Sequence, residues 1–129
     1  MKYIKKLLIL GFYSANVILI TFYLYPGSIF GYILYEDSSI QPQLTRDFII
    51  SSNHLYAFIV LSTFGIIAYQ NTKKIKFIIV YLFFLSIILE LFHLIIPNRR
   101  FEMSDLFGNI IGVILVIIIY KVKDKYAQV

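Results

Sequence analysis

Four long apolar stretches recur within only 129 residues, and no other feature of this chain constrains its fold as much. A helix needs about 20 mostly apolar residues to cross the hydrocarbon core of a bilayer. The stretches run over about residues 4–25, 48–69, 75–96 and 106–120, and the last reaches spanning length when Ser104 and Asp105 open it. Turn-forming runs separate them: Pro26-Gly27, Gln41-Pro42, Gln70-Asn71-Thr72 and Pro97-Asn98. None alternates apolar and polar residues as a membrane barrel strand does. With 60% hydrophobic and 15% charged residues and a mean hydropathy of +0.81, the chain lies outside the range of ordinary water-soluble domains. The expectation is an all-α fold: a four-helix transmembrane bundle, one domain over 1–129, with spans at about 4–25, 48–69, 75–96 and 104–120.

The charges follow the same division. Lys2, Lys5 and Lys6 precede the first stretch, Lys73, Lys74 and Lys76 fill the turn after the second, and Lys121, Lys123 and Lys125 follow the fourth. These are nine of the 12 basic residues; Arg46, Arg99 and Arg100 fall on the other side. The positive-inside rule places both termini and the Lys73–Lys76 turn in the cytoplasm; the expected location is a bacterial inner membrane. The net charge of +5 therefore serves orientation, and nucleic-acid binding is not expected. Lys5-Lys6 before an apolar run also resembles a signal peptide, but the run is long and no small-x-small site follows, so a retained anchor is expected. The connection 26–47 is read as solvated or interfacial, with Phe30–Tyr35 a candidate short interfacial segment. With 0 cysteines, thiolate metal sites, disulfides and Cys nucleophiles are excluded.

An acidic group inside a span costs about 2.5–3.5 kcal/mol on insertion scales and usually marks a site. Glu90 is such a group, about 9 Å inside its helix end at 1.5 Å per residue. Ser86, Glu90, His93 and Pro97 share one helical stripe. On the fourth stretch Asp105, Gly108, Asn109 and Gly112 form another; Gly108 and Gly112 are a G-x-x-x-G pair suited to close helix packing, and Asn109 can hydrogen-bond across it. The short Pro97–Ser104 turn makes the two helices antiparallel, so the stripes can meet. Ser104 reads as an N-cap, with Asp105 favoured by the helix dipole. Arg99 and Arg100 offer planar donors for a carboxylate or phosphate, or a clamp onto Glu90 or Asp105. His54, near the outer end of the second stretch, completes the candidate binding set of Glu90, His93, Arg99, Arg100, Asp105, Asn109 and His54. Glu90-x-x-His93 has the spacing of four-helix di-iron sites, but occurs once. His54 offers a third ligand for zinc. Neither metal nor cofactor is expected, and no catalytic motif is recognised.

The run from Glu90 to Arg100 (Glu90-Leu91-Phe92-His93-Leu94-Ile95-Ile96-Pro97-Asn98-Arg99-Arg100), then Ser104-Asp105, Asn109 and Gly112, resembles the signature of VanZ-like membrane proteins, roughly E-x-x-Q-x-x-x-P-x-R, then S-D and N-x-x-G. His54 resembles that family's second-helix histidine. The chain departs from the pattern with His93 in place of Gln, no Asp-Lys pair before His54, and Phe58 in place of Tyr. The resemblance implies a small integral membrane protein of a family named for a member linked to teicoplanin resistance, without a defined reaction. The resulting expectation is a protein that binds an anionic lipid or envelope precursor in an outer-leaflet polar pocket. The rivals are a membrane-embedded enzyme acting on a lipid headgroup, with Glu90 and His93 as acid and base, and a structural subunit that pairs with itself or another membrane protein.

Overall fold

The computed structural model describes residues 2–127, so positions 1, 128 and 129 of the expected domain lie outside the described residues. The helices are α1 (Lys2–Leu24), α2 (Ile29–Tyr35), α3 (Ser52–Tyr69), α4 (Ile75–Phe92) and α5 (Met103–Ala127), with no strand among the described residues. Four of them, all but the seven-residue α2, are long and apolar enough to cross a membrane. Phe12 and Leu19 of α1, Phe58 and Leu61 of α3, Leu82 and Leu89 of α4, and Val113 and Val116 of α5 form a common buried core. The outward faces are equally apolar: Leu10 and Val17, Phe77 and Val80, and Ile118 and Ile119 are all exposed. In water such a skin would aggregate, whereas lipid accepts it. Because the spans alternate in direction, Lys5 and Lys6 near the start of α1, Lys73, Lys74 and Lys76 around the turn between α3 and α4, and the lysines at the end of α5 collect at one end of the bundle, while connections 25–51 and 93–102 share the other.

The α3–α5 pair is the tightest. A Cβ on Gly108 would lie 2.7 Å from the Ser51 carbonyl oxygen, and one on Gly112 2.7 Å from that of Leu55. The glycine pair therefore seats α5 on α3, not on α4. About 100° round the same helix, Asn109 is left to face α1 and α4.

The helix ends differ from the hydropathy boundaries for local reasons. Helix α3 starts at Ser52 rather than 48, because Asp47 Oδ1 accepts the Ser52 N–H at 2.7 Å; Phe48 and Ile49 stay outside and exposed. Helix α4 ends at Phe92 rather than 96. Ahead of Pro97 the chain tightens into i+3 bonds, His93 N–H to Glu90 O at 3.0 Å and Leu94 N–H to Leu91 O at 3.1 Å, as a residue preceding proline leaves the helical region. Helix α5 begins at Met103, so Ser104 is not the N-cap; it lies in the first turn and its carbonyl accepts the Ser51 N–H at 3.1 Å. At its far end α5 continues past 120 through lysines, good helix formers, to Ala127. The segment expected to be interfacial forms a helix over 29–35, capped by Ser28, whose Oγ accepts the Gly31 N–H at 2.9 Å.

Candidate functional site

Every span sends a polar group to the end opposite the lysines. Glu90, in the last turn of α4, is fully buried. Its Oε1 accepts the Glu102 N–H at 3.1 Å and lies 3.2 Å from His93 Nδ1. His93, just beyond α4, places Nε2 3.1 Å from the Tyr23 carbonyl oxygen at the end of α1. His54, in the first turn of α3, places Nδ1 2.9 Å from Tyr23 Oη and 3.1 Å from Asn109 Oδ1. Tyr23 Oη donates to Asn109 Oδ1 at 2.5 Å, and Asn109 Nδ2 donates to the Ser86 carbonyl at 3.1 Å. Asp105 Oδ2, in the first turn of α5, lies 3.4 Å from His54 Nε2. The Tyr23 ring stacks on His93 at 5.6 Å and meets His54 edge-on at 5.0 Å.

Donor and acceptor chemistry fixes most of the protons. A carbonyl only accepts, so the bond to Ser86 O identifies the Asn109 nitrogen and turns Oδ1 toward Tyr23 and His54. That oxygen accepts from both, which makes His54 Nδ1 a donor and leaves Nε2 with a lone pair in the neutral ring. Likewise, His93 Nε2 donates to the Tyr23 carbonyl. His93 Nδ1 and Glu90 Oε1, 3.2 Å apart, are close enough to share a proton. Glu90 Oε2 has no hydrogen-bond partner among the described residues, though it lies 3.7 Å from His54 Nδ1.

The arginines stand at the rim. Arg99 donates Nε–H to the Tyr25 carbonyl at 3.1 Å and an Nη–H to that of Phe22 at 2.6 Å, capping carbonyls that the end of α1 leaves open. It lies within 4.0 Å of no carboxylate among the described residues, so the hairpin is closed by Glu90 accepting the Glu102 N–H and not by an Arg–carboxylate clamp. Partial burial draws the Arg99 guanidinium below its usual value, and nearby Tyr23, Glu90 and Asp105 pull it back up. Arg100 is exposed, with no hydrogen bond or ion pair among the described residues. Beside this cluster, between connection 36–51 and α3, lies a cavity of about 310 Å³ whose walls include Arg46, Phe48, Ile50, Leu55 and Tyr56.

Of the residues singled out from the sequence, Glu90, His93, His54, Asp105 and Asn109 thus come together, Arg99 lies at their edge, Arg100 stands apart, and Gly108 and Gly112 serve helix packing. A family model described as VanZ/LLP1 matches residues 10–124, from within α1 to near the end of α5. The chain belongs to the VanZ/LLP1 family. No curated protein and no solved structure matches it.

Tyr23 is the central group of this VanZ-family cluster that sequence reasoning missed. A tyrosine near a span end reads as an interfacial anchor. The signal that points to it is periodic: Phe12, Asn16, Leu19 and Tyr23 are all buried, spaced as one face of a helix. Asn16, inside that stripe, marks it as a face turned to protein.

Proposed function

We propose that this VanZ-family protein is a bacterial inner-membrane protein, with both termini in the cytoplasm, that binds an anionic lipid-linked or cell-envelope group at the outer end of its bundle. The observation that carries this reading is the supply of guanidinium donors at that end. A guanidinium has five N–H groups; Arg99 directs two to carbonyls at the end of α1, so three remain, and Arg100, next in sequence, is exposed with no hydrogen bond or ion pair among the described residues. Arginine matches phosphate and carboxylate oxygens with paired donors. Glu90 supports this arrangement by holding the 93–102 turn through the Glu102 N–H. The neighbouring cavity, with Arg46 beside aromatic and aliphatic walls, suits the start of an apolar tail. The orientation is supported by the absence of lysine from connections 25–51 and 93–102.

The test is retention of anionic lipid by the full chain in nanodiscs, read by native mass spectrometry. Arg100→Ala should weaken retention about tenfold, the factor that roughly 1.4 kcal/mol from one charge-assisted interaction gives. Arg99→Lys, which keeps a charge but not the paired donors, should weaken it further, and the double change should abolish it. Unchanged retention in folded double variant refutes the reading. The tie to glycopeptide resistance that the family resemblance implies follows when the bound group is a wall precursor, and teicoplanin susceptibility of cells carrying the double variant tests it.

One observation favours a second reading, an enzyme acting on a lipid headgroup. Glu90 and His93, 3.2 Å apart and close enough to share a proton, are an acid–base pair in a water-poor place. Turnover of a lipid phosphate lost in Glu90→Gln would establish it.

A further inference from the structure

We propose that His54, Glu90 and Asp105 form a binding site for a divalent transition-metal ion of the zinc class. One ligand atom from each of the three lies within 4.8 Å of the others. They come from three different spans and sit in the first turns of α3 and α5 and the last turns of α4, so the packing of the bundle itself builds the set.

The proton arrangement gives the set its chemistry. With Nδ1 donating to Asn109 Oδ1, the His54 Nε2 lone pair points to the side where Asp105 Oδ2 lies 3.4 Å away. A lone pair facing a carboxylate oxygen is repulsive unless something positive lies between them. The separation is longer than the usual 2.7–3.2 Å of a direct N–H···O bond. It matches the distance between neighbouring ligand atoms, about 3.3–3.4 Å, in a tetrahedral site with bonds of about 2.0–2.1 Å. Independently, Glu90 Oε2 is fully buried, has no hydrogen-bond partner among the described residues, and lies 3.7 Å from Nδ1 of the same imidazole; Glu90 falls within the 4.8 Å ligand set with His54 and Asp105. A divalent ion joined to Nε2, Asp105 Oδ2 and Glu90 Oε2 satisfies all three atoms and balances the two carboxylates. The Asp105 side chain keeps 17% of its exposure, which leaves a side for water or an exchangeable ligand in the fourth position.

The surroundings have the form that oriented metal ligands require. A metal-bound imidazole ordinarily donates its other N–H to a fixed acceptor. Asn109 Oδ1 fills that role, and its own amide is pinned by the Ser86 carbonyl. Glu90 is held through its other oxygen by the Glu102 N–H and His93. His93, the third group that i, i+3 spacing with Glu90 suggests, is committed to the Tyr23 carbonyl and to Glu90, and Asp105 takes its place. One imidazole nitrogen with carboxylate oxygens, in a chain with 0 cysteines, suits zinc or manganese rather than copper(I) or an iron–sulfur cluster.

This inference does not depend on anion binding at the arginines, since its test uses metal alone. The full chain in detergent is stripped with chelator, checked for helical circular dichroism, and titrated with Co²⁺ and then Zn²⁺. The expected result is one equivalent of Co²⁺ with visible d–d bands, displaced by zinc. Stoichiometric uptake should be lost in His54→Gln, Asp105→Asn and Glu90→Gln and kept in Tyr81→Phe. Asn109→Leu should weaken it about 10–100-fold, the usual effect of removing a group that orients a ligand. Folded wild-type protein that takes up neither ion overturns the proposal and assigns a proton to the His54–Asp105 gap; uptake unaltered by the three ligand variants overturns it too. If those variants fail to fold, X-ray absorption of the wild-type zinc form decides, with one imidazole and otherwise oxygen ligands expected. Two imidazoles, or none, refute it.

Discussion

Two of the buried polar clusters in this bundle are built differently. Midway along α1, Asn16 donates Nδ2–H to the Phe12 carbonyl at 2.8 Å and accepts from Tyr81 Oη at 2.5 Å, tying α1 to α4. That tie joins two helices, carries no charge, and gives both ends of the Asn16 amide a partner. The cluster at the end opposite the lysines joins all four spans, holds two carboxylates and two imidazoles, and leaves Glu90 Oε2 without a partner. The first arrangement is what packing alone requires of polar atoms in lipid. The second places a partnerless carboxylate oxygen among ionisable groups, where burial makes it costlier than the partnerless Ser62 hydroxyl, and this supports reading it as a site.

The comparison can be broken by substitution, and the largest effect should come from neither cluster but from the helix seat beneath one of them. Gly112→Val adds atoms where a Cβ alone would lie 2.7 Å from the Leu55 carbonyl and 2.9 Å from Phe58 Cβ. It should cost about 3 kcal/mol or more, seen as loss of monodisperse protein on size exclusion. Next, Glu90→Leu strands the Glu102 N–H and His93 and should cost about 2–3 kcal/mol in detergent unfolding. Tyr23→Phe removes one hydroxyl from the shared cluster while Asn109 still accepts from His54, so about 1 kcal/mol is expected by the same measurement. The smallest effect is reserved for the midway tie. Tyr81→Phe should cost about 0.6 kcal/mol, the average for a hydrogen bond between membrane helices, with lipid retention and metal uptake unchanged. If Tyr81→Phe proved as damaging as Glu90→Leu, the contrast between tie and site would collapse.

The four spans were readable because the bilayer demands about 20 apolar residues of any helix that crosses it, and this demand is local in sequence. Their ends were less so. The start of α3 depends on Asp47 reaching the Ser52 N–H, and the end of α4 on the turn that precedes Pro97, neither of which hydropathy registers. Glu90, His93 and His54 stood out because ionisable groups are rare in spans. Which helix would meet which was not readable: Gly108 and Gly112 announce a close neighbour without naming it, and the neighbour is α3. The arginines illustrate the same limit, since Arg99 turns to the carbonyls of Phe22 and Tyr25, more than 70 positions away in sequence. Tyr23 stayed hidden for a chemical reason: tyrosine is at home at a membrane boundary whether it faces lipid, water or, as here, two imidazoles.

That the cluster draws on every span has a consequence for biogenesis. During synthesis α1, α3 and α4 reach the bilayer before α5 exists, so His54 and Glu90 enter without Asn109 and Asp105. Until the final helix arrives, a costly intramembrane acid stands among incomplete partners. A nascent chain halted before Met103 should therefore be held by the insertion machinery or degraded by membrane proteases, and the last helix to emerge acts as the latch that releases the whole.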